Sequence, residues 1–135
     1  MLADQHDLAR QSFESARVEL ERKVAQDPSD SRFHGSLGIA LAGLGRRVEA
    51  VREARAGCVL MPASKDAVRA LYRLEDLAVV YTMSGQSSEA IARLDDLLAR
   101  SGWFTAHVLR LDPRWDPLRS DPRFQALLTK YEVRD

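Results

Sequence analysis

Three thirteen-residue segments of this chain share one register. ARVELERKVAQDP runs from Ala16 to Pro28, AVREARAGCVLMP from Ala50 to Pro62, and AIARLDDLLARSG from Ala90 to Gly102. Each opens on Ala, carries Leu20, Ala54 or Leu94 four residues on, and closes twelve residues on at Pro28, Pro62 or Gly102. The first two openings lie 34 residues apart and the next two 40, which is 34 plus six. A period of this size means one supersecondary unit used again, and it therefore ranks above any residue-level reading.

A second matching helix lies upstream of two of the segments. HGSLGIALAGLG places Leu37, Gly38, Leu41 and Gly45 ahead of Ala50; LEDLAVVYTMSG places Leu77, Ala78, Tyr81 and Gly85 at the same distances ahead of Ala90. Leu37/Leu41/Leu44 and Leu74/Leu77/Tyr81 recur at helical intervals, so each set makes one apolar stripe. Gly38 and Ala78 are small enough for a partner helix to come close. Gly45 and Gly85 stand where a helix must stop, in the left-handed conformation that glycine tolerates best. Pro28 and Pro62 end the second helix of their pairs. Asp30 or Ser31 is expected to cap the helix carrying Leu37, Ser64 the long helix through Met83, and Ser87 the helix that follows. No stretch alternates apolar and polar residues for long enough to make a strand.

These residues resemble the tetratricopeptide repeat (TPR), a helix–turn–helix unit of 34 residues. Leu37, Gly38, Leu41, Gly45, Ala50, Ala54 and Pro62 match its pattern, as do Leu77, Ala78, Tyr81, Gly85, Ala90 and Leu94. His34 and Leu74 stand where the family often has Trp, and Gly102 replaces the closing Pro. The resemblance implies an all-α fold, a right-handed solenoid of antiparallel helix pairs. One domain is expected over residues 1–135: an N-terminal helix or half-repeat (1–29), a repeat (30–63), a repeat whose first helix is lengthened around SKDAVRA (64–102), and a cap (103–135).

The cap is LDPRWDPLRSDPRF and its sequel. Asp is a strong N-cap and Pro favours the first helical position, so each Asp-Pro opens a helical turn. Asp112-Pro113 and Asp116-Pro117 are expected to open short turns and Asp121-Pro122 a real helix. There Phe124, Leu127, Leu128 and Tyr131 form one stripe, with Trp115 and Leu118 filling the corner. Repeat arrays need such an end. The segment resembles one that commonly follows TPR arrays in bacterial regulatory proteins. Its arginines are expected to pair with Asp112, Asp116 and Asp121.

Composition narrows the function. Lys+Arg and Asp+Glu both number 20, so there is no bulk pull toward nucleic acid or an anionic membrane. Arg46, Arg47, Arg52 and Arg55 are interleaved with Glu49 and Glu53, Glu49–Arg52 being a pairing three residues apart. Cys58 is the only cysteine, which rules out an intrachain disulfide or a cysteine zinc cluster and is read as a small buried hydrophobe. The longest uncharged run, Leu77–Ser88, falls short of the ~20 apolar residues of a membrane span. No secretory signal is visible, and a cytoplasmic domain of a larger protein is expected. His6, His34 and His107 have no ligand-spaced partner, and His34 falls on a packing position. Glu75-Asp76 and Asp95-Asp96 are adjacent and diverge on a helix. No catalytic residue, metal or cofactor is therefore expected.

In stacked TPR units the first helices line a concave groove for a peptide or helical segment of a partner protein. By that resemblance the inward positions here are Arg32, Ser36 and Ile39 from one unit. Tyr72, Glu75, Asp76, Val79 and Met83 come from the next, with Arg69 on the extension. The basic clamp that chaperone-binding members use is not matched, because Gly35 and Ile39 stand where it needs Lys and Asn. The alternative expectation is self-association through the incomplete N-terminal repeat, where Phe13, Ala16, Leu20 and Val24 share one side.

Overall fold

A computed structural model describes residues 2–132. The last three residues of the expected cap, 133–135, lie outside the described residues. The chain is all-helical, with no strand among the described residues. The helices are α1 (Leu2–Gln26), α2 (Ser31–Gly43), α3 (Arg47–Leu60), α4 (Ala67–Met83), α5 (Ser87–Arg100) and α6 (Ala106–Leu111). A 3-10 helix (Pro113–Leu118) and α7 (Pro122–Lys130) complete the order. None is long and apolar enough to cross a membrane.

Two tight turns fix the hairpins. Gly45 takes φ +78° and Gly85 φ +74°. Around Gly45 the Arg46 N–H donates to the Leu41 carbonyl and the Gly45 N–H to that of Ala42, both at 3.0 Å. Gln86→Tyr81 and Gly85→Thr82 repeat the arrangement at 2.9 and 3.2 Å. Each helix thus ends with its last carbonyls satisfied by a left-handed glycine turn. The most extensive pairings are accordingly α2 with α3 and α4 with α5; α1 covers α2, and both α2 and α3 lie against α4.

The stripes read from sequence form the core except at their edges: Leu74 is half-buried against it, and Leu44, at the C-terminal end of α2, is half-buried and outside it. Leu37, Leu41, Ala50, Ala54, Leu77, Ala78, Tyr81, Ala90 and Leu94 are all buried. The small residues act as expected. A Cβ on Gly38 would stand 2.9 Å from the Ala50 carbonyl oxygen and 3.2 Å from Ala54 Cβ, so α2 and α3 touch through their backbones. Tyr81 buries its ring while its hydroxyl accepts from Arg55 Nη2 at 2.7 Å, which binds α3 to α4. Phe13 of α1 lies over Gly43, at the end of α2. Residues 3–12 of α1 run past that point and are exposed on every side. Gln11 stands 34 residues before Gly45, and α1 contains no glycine at which to turn.

The C-terminal segment packs against α4, α5 and α6. Asp112 caps the 3-10 helix through the Arg114 N–H (3.0 Å), and Asp121 caps α7 through the Arg123 N–H (2.9 Å), each with Pro in the first helical position. Trp115, Leu118, Phe124, Leu127 and Leu128 are buried and Tyr131 is half-buried. The arginines pair with the aspartates as expected, Arg114–Asp112 at 2.8 Å, Arg119–Asp116 at 2.7 Å and Arg123–Asp121 at 2.7 Å.

Several expectations need correction. Asp116-Pro117 lies inside the 3-10 helix and opens no turn of its own. Asp66, not Ser64, caps α4, because residues 62–65 form a turn; Gln86 precedes α5 with no side-chain cap, and Ser87 is already helical. The six extra residues divide between helix and linker: α4 has 17 residues against 13 in α2, and the linker 61–66 is two longer than 27–30. Glu49 pairs with Arg46 at 2.6 Å, not with Arg52. Cys58 is only partly buried, its thiol donating to the Arg73 carbonyl at 3.4 Å. His34 packs as expected but is also hydrogen-bonded on both sides, Nδ1 to Glu53 Oε2 and Nε2 to the Pro28 carbonyl, each at 2.7 Å.

Candidate functional site

A cleft of about 560 Å³ lies at the N-terminal ends of α2 and α4. Asp27, Ser29, Asp30, Ser31 and Arg32 line one side; Met61, Arg69, Tyr72 and Arg73 line the other. The linkers 27–30 and 61–66 place it there, since each ends in an aspartate that caps the following helix. Asp30 accepts the Arg32 N–H at 3.0 Å and Asp66 that of Arg69 at 2.9 Å. Asp30 also accepts from Arg32 Nε and Nη2 at 3.0 and 2.7 Å. That charge-assisted fork holds the Asp30 carboxyl below its ordinary range.

Two exposed guanidiniums and a ring platform result. The Arg32 and Arg69 side chains are 72% and 74% exposed, and Arg69 is tied only loosely, 3.6 Å from Asp66. Tyr72 carries Trp103 on its face, with ring centroids 4.9 Å apart and planes inclined by 25°. Such an offset stack leaves apolar ring surface open to a partner.

Of the groove residues expected from sequence, the cleft brings together Arg32, Arg69 and Tyr72. Ser36 and Met83 are exposed but outside it, and Ile39 is half-buried against the core. Val79 was expected to face the groove and does not: at 6% exposure it belongs to the core of α4. Glu75 is held by the cap, accepting from Arg114 Nη2 at 3.1 Å. Asp76 turns inward, against Gly35.

Arg73, Met61 and Trp103 were not foreseen. Met61 had a signal, because it stands 34 residues after Asp27, so the two linkers place equivalent residues in the cleft. Trp103 had none, since it belongs to a loop that no helical period describes.

The carboxylate pairs do not converge on a common point. Asp95 accepts from the Tyr131 hydroxyl at 2.5 Å and Lys130 Nζ at 3.2 Å, while Asp96 faces Arg100 at 3.4 Å. Compared with protein-family profiles, curated proteins and solved structures, the chain matches none.

Proposed function

We propose that this chain is a TPR-like, non-catalytic interaction module that receives an extended peptide or helical segment of a partner protein in the cleft between α2 and α4. The observation that carries this reading is the cleft itself, which sets the exposed Arg32 and Arg69 heads beside the Tyr72–Trp103 platform. Guanidiniums and large rings are the side chains that contribute most at protein interfaces. The repeat reading draws support from helix ends: α1 and α3 stop at Gln26 and Leu60, 34 positions apart, and both hairpins turn on a left-handed glycine.

Panning a random peptide library against the immobilised protein tests the reading. The expected outcome is an enriched set that binds the wild type and loses at least tenfold in affinity on Tyr72→Ala and Arg69→Glu, both at exposed positions. An empty library, or peptides indifferent to both variants, defeats it.

Self-association is a second reading, supported by α1, whose residues 3–12 have no covering helix. Light scattering over a concentration series tests it, and a monomer at the highest concentration rules it out.

A further inference from the structure

Gly35, Gly57 and Asp76 meet where α2, α3 and α4 pack together. A Cβ on Gly35 would collide with the Asp76 carboxylate, and one on Gly57 would lie 3.0 Å from the Ser31 carbonyl oxygen and 3.7 Å from Arg73 Cδ. Two glycines thus open a slot, and α4 fills it with an ion pair. Arg73 Nε stands 3.0 Å from Asp76 Oδ2, with the side chains 14% and 21% exposed. Both atoms are shut off from solvent, and neither completes a hydrogen bond. A buried pair without hydrogen bonds recovers little of what its desolvation costs. Arg73 also lines the cleft, so the slot and the site share a side chain.

The charges around Asp76 are few. On α4 its neighbours are Arg73 and Glu75, and the 3-10 helix brings Arg114, already engaged by Asp112 and Glu75. α2 presents Gly35, with Asp30 at its cap acting on Arg73. α3 presents Cys58, a neutral thiol because burial pushes it up to about 11, with Arg93 of α5 beyond it. Burial outweighs Arg73 and pushes the Asp76 carboxyl up to about 6.

We propose that Asp76 is a proton-operated latch on the cleft. Ionised, it holds Arg73 in the slot. Protonated, it removes the poorly compensated buried charge, stabilises the junction of α2, α3 and α4, and leaves the Arg73 charge uncancelled at the cleft wall. The effect on binding rests on the peptide-binding reading; the effect on stability does not. Because the folded-state value lies above the ordinary 3.8, the folded protein holds the proton more readily between about pH 4 and 6. Stability from this group therefore grows as pH falls through that window. From pH 7.5 to 5.0 the folded-to-unfolded ratio should rise about tenfold.

Urea unfolding of the wild type and Asp76→Asn at both pH values tests this, with the Asp76 carboxyl carbon followed by NMR in the wild type. The expected result is a tenfold gain at pH 5.0 that Asp76→Asn lacks, and a carboxyl titrating near 6. A carboxyl titrating near 4, or a variant that keeps the wild-type dependence, overturns the latch. Should Asp76→Asn not fold, the carboxyl titration alone decides. For the cleft, the probe is a panned peptide extended by three glutamates. It should bind the wild type several-fold tighter at pH 5.5 than at 7.5, and Asp76→Asn equally at both. Binding that ignores pH while Asp76 titrates near 6 overturns the coupling and leaves the peptide reading standing. An empty library removes that reading, while the unfolding profile still judges the latch.

Discussion

Trp103 lies on Tyr72, ring on ring at 4.9 Å, so the residue that opens the C-terminal segment completes a surface begun on α4. The C-terminal segment thus touches the cleft residue Tyr72, and the same helix carries a second contact to it: one turn on, Glu75 receives Arg114. Removing the lower ring should uncover the upper one. Tyr72→Ala is expected to shift Trp103 emission to the red and to cost about 0.5–1.5 kcal/mol, toward the low end because both rings are partly exposed. Buried Trp115 supplies a constant background. Unchanged emission would mean that the stack does not form in solution.

Gly38 and Gly45 serve different needs, and alanine should tell them apart. At Gly38 the added methyl meets the backbone of α3, with Ala50 O at 2.9 Å and Ala54 N at 3.1 Å, neither of which can swing aside. The helices must separate, at about 1–3 kcal/mol. At Gly45 there is open space but φ is +78°, so only conformational strain applies, about 1 kcal/mol. Denaturant unfolding should rank Gly38→Ala below Gly45→Ala in stability; the reverse order would refute the close approach.

The three Asp-Pro pairs look alike in sequence and differ in structure. Asp112→Ala removes a cap and should cost about 1 kcal/mol, and Asp121→Ala should destabilise in the same way. Asp116 is 63% exposed and, among the described residues, its side chain pairs only with Arg119, so Asp116→Ala should change little. Deleting residues 113–135 removes five buried side chains, Trp115 and Phe124 among them, from α4, α5 and α6. The truncated chain should lose cooperative unfolding and aggregate; an unchanged melting temperature would sink the capping role.

What could be read from the sequence was what repeats. Leu37, Leu41, Leu77 and Tyr81 recur at helical intervals, and Gly45 and Gly85 announce turns by chemistry that no neighbour can override. Asp121-Pro122 is equally local, a cap and a first helical residue side by side. The failures share the opposite character. Val79 was assigned to the groove and is buried instead, in a helix packed against α2, α3, α5 and the 3-10 helix, whose residues lie up to some forty positions away in sequence. Glu75 and Asp76 are adjacent acids with opposite fates, one held by Arg114 and one pressed against Gly35. Only tertiary packing separates them. Trp103 reaches Tyr72 through a loop without a period.

Stability should peak on the acid side of neutrality, because two sets of carboxylates act in different windows. Arg114 holds Asp112, Arg32 holds Asp30 and the Tyr131 hydroxyl holds Asp95 below the ordinary carboxylate range. Folded values below the unfolded ones give stability that is present above about pH 4 and is lost as pH falls through the folded values. Asp76 has the reverse sign and a higher window, adding stability as pH falls from about 6 toward 4. Descending from pH 7.5, the melting temperature should therefore climb first and collapse only afterwards, with its maximum between about pH 4 and 5. In Asp76→Asn the climb should vanish and the acid collapse remain. Melting curves at closely spaced pH values check both limbs, and a wild-type profile that is flat from 7.5 to 5 would show that Asp76 ionises at its ordinary value.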